Sequence, residues 1–146
     1  MGHISYLILH CSATREGKDF KVADVDRWHR QRGWRCIGYH YVIELDGTVR
    51  KGRREGFTGA HCKGYNSRSL GICYIGGLSA DDHPKDTRTP AQLQAMQDLL
   101  RFLLRKYPDA LVAGHNQLAP KACPSFDVPR WAASIGIPPA NIYRCR

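Results

Sequence analysis

Three residues in this chain combine the donor types and the placement that a metal site needs. His10 and His115 each stand just past a short apolar run, Tyr6-Leu7-Ile8-Leu9 and Ala110-Leu111-Val112-Ala113. Runs of that length and composition suit strands covered on both faces. The C-terminal ends of such strands form the edge where open α/β sheets assemble their sites. Residues 116–122 separate His115 from Cys123, in a loop that Pro120 and Pro124 restrict. That loop can bend back so that imidazole and thiolate face one ion. Two imidazoles and one thiolate suit a single Zn²⁺. Three protein ligands leave a fourth tetrahedral position for water, as in a catalytic rather than a closed structural site.

The spacing leaves alternatives open. His40, His61 and His83 are rival ligands, and His83 lies in a polar stretch where a solvated side chain is expected. His10 and His115 can instead cap strand ends by hydrogen bonding, with Cys123 packing as a small buried hydrophobe.

The elements that would position the trio follow from periodicity and turn chemistry. Tyr6 to Leu9 predicts an inner strand, and Val22, Val25, Trp28 and His29 follow helical spacing up to a stop at Gly33. Tyr39 to Leu45 suits a strand, and Asp46-Gly47 before Thr48-Val49 predicts an antiparallel hairpin. Leu70 to Ile75 reads as another inner strand, closed by Gly76-Gly77 and followed by a polar loop from Ser79 to Thr89. Thr89-Pro90-Ala91-Gln92 carries a cap, a first-turn proline and a Gln placed to reach back. The helix it opens buries Leu93, Met96, Leu100, Leu103, Leu104 and Tyr107, and ends at Pro108. Ala110 to Ala113 adds a strand, and Val128 to Ala133 a short helix packed through Trp131, with Asp127 as its cap. The order β-α-β-β-β-α-β-α predicts an α/β fold: a single-domain sandwich over residues 1–146, with a central mixed β-sheet flanked by α-helices.

Composition narrows the function classes. The 146 residues carry 22 Lys+Arg against 13 Asp+Glu, a net charge of +9, and are 42% hydrophobic. That balance excludes disorder and repeats, and no apolar run approaches the roughly 20 residues of a membrane span. The N-terminus shows no secretory signal, so synthesis in the cytoplasm is expected. Six cysteines, at 11, 36, 62, 73, 123 and 145, have no framework spacing and read as mostly free thiols. The basic excess asks for an anionic partner, whether nucleic acid, acidic lipid or wall polymer. Its clusters, Arg27, Arg30, Arg32 and Arg35, then Arg50, Lys51, Arg53 and Arg54, read as solvated faces.

An ordered series of segments goes further. Leu9-His10-Cys11-Ser12-Ala13-Thr14, Gly33-Trp34, Gly38-Tyr39-His40-Tyr41, Asp46-Gly47-Thr48-Val49 and His61-Cys62-Lys63-Gly64-Tyr65-Asn66 come first. Ser69-Leu70-Gly71-Ile72, Thr89-Pro90-Ala91-Gln92 and Ala119-Pro120-Lys121-Ala122-Cys123-Pro124-Ser125-Phe126-Asp127 follow. From about Leu7 to Trp131 this series resembles the zinc-dependent N-acetylmuramoyl-L-alanine amidases of the phage lysozyme type. Their superfamily also holds the peptidoglycan recognition proteins.

The resemblance implies one Zn²⁺ held by His10, His115 and Cys123, with Tyr39 and Lys121 as catalytic helpers. Such an ion lowers the pKa of its water to about 7 and polarises the amide carbonyl. Lys121 would sit beside the oxyanion formed on attack, and Tyr39 would orient the water or hand a proton to the leaving amine. By themselves, a tyrosine at a strand start reads as packing and a loop lysine as a surface charge. Some distant members use a glutamate near the metal, for which Glu44 is the candidate here. His61 and Asn66 resemble a stretch bordering the family's groove, where they can bind the muramyl-peptide stem; His61 can instead order its loop. Trp34 and Trp131 read as core or rim aromatics.

The function implied is zinc-dependent hydrolysis of the amide between N-acetylmuramic acid and L-alanine in peptidoglycan, by a phage or prophage endolysin. Such an enzyme reaches the wall after membrane permeabilisation. The alternatives are a module that binds peptidoglycan without cutting it, or a regulator of RNA polymerase, which the resemblance alone suggests. A monomer that neither inserts in membranes nor binds nucleic acid directly is expected.

Overall fold

The computed structural model describes residues 3–144, so Cys145 lies outside the described residues. Its central sheet has five strands in the order β4-β3-β5-β1-β7. These are β1 (Tyr6–Cys11), β3 (Tyr41–Ile43), β4 (Val49–Lys51), β5 (Ser69–Tyr74) and β7 (Leu111–Gly114). β1 runs parallel to β5 and β7, β3 runs parallel to β5, and only β4 is antiparallel, paired with β3. This is the mixed α/β sheet that the sequence predicts. A two-stranded parallel ribbon, β2 (Thr14–Arg15) with β6 (Gly77–Leu78), lies outside it. Strands two residues long carry no readable alternation, and periodicity does not reveal them.

Helices cover both faces. α2 (Pro90–Lys106) presents Met96, Leu99, Leu100 and Leu103 to the side chains of Leu7, Leu9, Leu70 and Ile72. α4 (Val128–Ser134) adds Val128 and Ala132 to the same core. On the other side α1 (Val22–Gln31) packs Val25 against Ile37, Val42 and Ile75. α1 stops as predicted at Gly33: with φ +89° there, Gly33 N–H reaches Arg30 O and Trp34 N–H reaches His29 O. Asp127 caps α4 through Arg130 N–H.

The hairpin is also as expected. Gly47 takes φ +87°, and Ile43 pairs with Val49. The strand expected over Tyr39 to Leu45 is shorter, so Tyr39 lies just ahead of β3. Arg53 is not the solvated charge that its cluster suggested. Its guanidinium donates to the carbonyls of Ile37, Thr58 and Cys36, tying three loop segments together.

The cap of α2 does more than start a helix. Gln92 N–H donates to Thr89 Oγ1, and Thr89 N–H donates to Gln92 Oε1. The fully buried Gln92 amide nitrogen also donates to the carbonyls of Ile43 and Ile75, so one side chain fastens α2 to two strand ends. Gln92→Ala leaves those backbone groups buried without partners and should cost about 3 kcal/mol. Thr89→Ala loses the cap and the hydroxyl's bond to the half-buried Leu45 O, together about 1–2 kcal/mol. Urea unfolding checks the ranking: equal midpoints for the two variants would reject this role of Gln92.

Candidate metal centre and active site

Strand alternation sends Leu7, Leu9 and Cys11 of β1 toward α2, and Ile8 and His10 to the opposite face. Leu9 pairs with Gly114, the last residue of β7. His10 therefore comes out beside His115, their ring centroids 4.6 Å apart. His115 opens a four-residue helix, α3 (His115–Leu118), where the sequence suggested only a loop. Too short to show a hydrophobic stripe, that turn was not legible.

Cys123 is brought in by contacts on either side. Tyr74, at the end of β5, donates its hydroxyl to Pro124 O at 2.7 Å, and Ser125 Oγ donates to Gly77 O at 2.9 Å. Cys11 N–H, at the end of β1, then points at Cys123 Sγ from 3.2 Å. Ligand atoms of His10, His115 and Cys123 all lie within 4.8 Å of one another. Among the described residues this is the one grouping of three or more potential His, Cys, Asp or Glu ligands so arranged.

Two of the rival histidines, His40 and His61, have both ring nitrogens engaged. His40 Nδ1 accepts from Gly71 N–H at 3.1 Å while Nε2 lies 2.8 Å from Phe57 O. His61 meets His10 through Nδ1 at 2.9 Å and Ser69 Oγ through Nε2 at 3.2 Å. His83 is exposed beside Asp81. Glu44 accepts from Val22 N–H at the start of α1 and faces Arg50, which accounts for both carboxylate oxygens.

The remaining candidates fall around the trio. Tyr39 packs its ring 5.0 Å from that of His10 and sits near the buried Cys73 thiol. Lys121 is exposed on the Cys123 loop, close enough for its charge to act on His115. Asn66 Oδ1 accepts from the backbone N–H of both His61 and Cys62 at 2.9 Å, so it orders the loop that carries His61.

Burial controls the protonation of these groups. Burial, then the neighbouring His61 and His115 rings, hold His10 well below the usual histidine range. Burial also takes His61 down to about 3. His115 is lowered by burial and by the Lys121 ammonium. All three are neutral imidazoles near pH 7, the form that ligates a metal. The contact with the Cys11 thiol, then burial, push Cys123 above the normal thiol range, so without a cation it stays a thiol. Burial and the surrounding thiols push Tyr39 well above its ordinary value, leaving it a hydroxyl donor.

Sequence reasoning missed Ser69, Gly71 and Cys73. A Cβ at residue 71 would lie 2.6 Å from the His61 ring, so glycine there gives the imidazole its seat on the sheet. Glycine inside an apolar strand signals such a close approach. Ser69 and Cys73 carried no comparable signal.

Two neutral imidazoles and an ionisable thiol, converging with their other polar contacts made by backbone and side chains, fit a tetrahedral zinc with one position left over. Comparison with known proteins agrees with this chemistry. Residues 1–126 match the family described as N-acetylmuramoyl-L-alanine amidase. The endolysin of Klebsiella phage KP32 is 46% identical over 127 residues, 87% of this chain and 84% of the relative. The endolysin of Escherichia phage T7 is 45% identical over 125 residues, 86% and 83% of the two chains. Among solved structures, the N-acetylmuramoyl-L-alanine amidase LysC from Clostridium intestinale superposes with a TM-score of 0.78 at 28% identity, covering 93% of this chain and 87% of that one. With residues 1–126 matching that family, more than four fifths of its length aligned with the phage endolysins and its fold shared with a solved amidase, the chain belongs to the N-acetylmuramoyl-L-alanine amidase family and is an amide hydrolase of peptidoglycan.

Proposed function

We propose that the protein is a zinc-dependent endolysin that cuts the bond between the lactyl group of N-acetylmuramic acid and the L-alanine of the peptide stem. The observation that carries this reading is the convergence of His10, His115 and Cys123 at one strand edge in a chain of amidase family. Those three side chains would hold the ion. Zinc bound there supplies a Lewis acid and makes hydroxide available near pH 7.

The chain's own residues do the rest. Tyr39, kept un-ionised beside His10, holds a hydrogen bond on the attacking water and returns a proton to the leaving amine. Lys121 places a positive charge where the carbonyl oxygen becomes an oxyanion. Glu44, engaged at α1, takes no part. Asn66 serves substrate through the loop it orders. The net charge of +9 favours approach to an anionic wall. No helix among the described residues is long and apolar enough to cross a membrane. As an endolysin the enzyme would reach the wall once the membrane is permeabilised.

Digestion of purified peptidoglycan, followed by mass spectrometry, tests the proposal. The expected products are intact glycan and stem peptides with a new L-alanine amine, abolished by chelator and restored by zinc. Bound metal without cleavage on several wall types would reject it. Lys121→Ala should lower kcat about 10²- to 10³-fold, as loss of one oxyanion contact does. Tyr39→Phe should lower it about 10²-fold with little change in zinc affinity.

Protonation makes a separate prediction. His10 and His115 are already neutral, whereas the raised Cys123 thiol must ionise to ligate. Zinc binding should therefore release protons, and affinity should rise with pH. Calorimetry in buffers of different ionisation heat reads this directly. Zero release would show that Cys123 is not a ligand.

A further inference from the structure

Two neutral imidazoles in contact share one hydrogen bond only if one presents N–H and the other a bare nitrogen. His10 Nε2 and His61 Nδ1 are 2.9 Å apart. The far side of His61 decides which of them carries the proton. There Ser69 Oγ lies 3.2 Å from His61 Nε2 and 2.8 Å from Tyr65 O. A carbonyl only accepts, so the single hydroxyl proton of Ser69 goes to Tyr65 O and the Ser69 lone pair faces His61 Nε2–H. His61 then offers a bare Nδ1 to His10, whose own proton must sit on Nε2. The nitrogen of His10 left bare is Nδ1, the one that lies 3.7 Å from Cys123 Sγ.

We propose that His61, Ser69 and the Tyr65 carbonyl form a positioning chain that holds His10 in the tautomer whose Nδ1 is free to bind the metal. The proposal rests on the reading of His10 as a zinc ligand. It moves His61 from the groove wall, where it would touch substrate, to a place behind the ligand.

The surroundings are built for this task. Ser69 is fully buried, so water does not compete for its lone pair. Gly71 leaves room for the His61 ring, and Asn66 closes the turn that delivers it by accepting from the adjacent N–H groups of His61 and Cys62. Both nitrogens of His61 are engaged within the protein, which leaves neither for a stem peptide. A hydrogen bond that orients a ligand imidazole also raises the basicity of its ligating nitrogen, and losing it typically weakens metal binding about 10- to 100-fold.

Zinc affinity, measured by competition with a chromophoric chelator, and ring ¹⁵N shifts of the metal-free protein test the chain together. In the wild type, His10 and His61 should both carry the proton on Nε2. Ser69→Ala removes one buried oxygen, and His61→Ala removes the ring. Both should weaken zinc about 10- to 100-fold and let His10 populate the Nδ1–H form. His61→Asn, whose Oδ1 can replace Nδ1 as the acceptor, should recover most of the affinity. Zinc affinity within about threefold of wild type in both alanine variants would overturn the proposal. So would an effect confined to KM, which would return His61 to substrate binding. A wild type that binds no zinc would defeat the metal reading instead. The ¹⁵N shifts still decide the chain in that case, because His10 protonated on Nδ1 overturns it.

Discussion

β1 is bound by parallel neighbours on both sides, β5 and β7, and every other feature of the site is hung on that arrangement. A strand in this position has both faces covered and no freedom to slip, because a shift of one residue would carry Leu7 and Leu9 out of the α2 core. The same constraint sends His10 to the opposite face. Pairing of Leu9 with Gly114 then sets the relation of His10 to His115 without any loop having to define it. Two of the three candidate ligands thus inherit the rigidity of the sheet, as a preorganised site requires.

Cys123 depends on a different device. It arrives on a loop, and a loop is positioned by polar contacts rather than by apolar burial. Tyr74 and Ser125 supply them, each donating to a backbone carbonyl near the C-terminal edge of the sheet. Cys11 N–H reaches the sulfur from the end of the strand that carries His10. No buried side-chain nitrogen or oxygen among the described residues lacks a partner, so this dense polar edge carries no unpaired group that would favour another arrangement.

The electrostatic character of the site follows from the same burial. Histidines lose their charge there, and the thiol and the phenol keep their protons. Among the proposed participants, Lys121 is exposed on its loop. Placing the positive charge at the rim and neutral donors within suits an amide substrate, which is uncharged until water attacks it.

Much of this was legible in the sequence because it is local. The buried runs ending at His10 and next to His115, the Thr89–Gln92 cap, the Asp46-Gly47 turn and the stop at Gly33 are each written in a few consecutive residues. They gave the α/β order, and with the spacing to Cys123 they pointed to the ligand trio. The ribbon of β2 and β6, the turn of α3 and the shortening of β3 were not legible, being too short for periodicity to register. What only the tertiary structure decided was which histidines are available. His10 and His61 are 51 residues apart in the chain, and His40 and Gly71 are 31 apart, yet these contacts determine which ring nitrogens are engaged. Residue type and spacing determine which side chains can ligate a metal, whereas the hydrogen bonds that engage or free each nitrogen come from segments that meet only when the sheet is assembled.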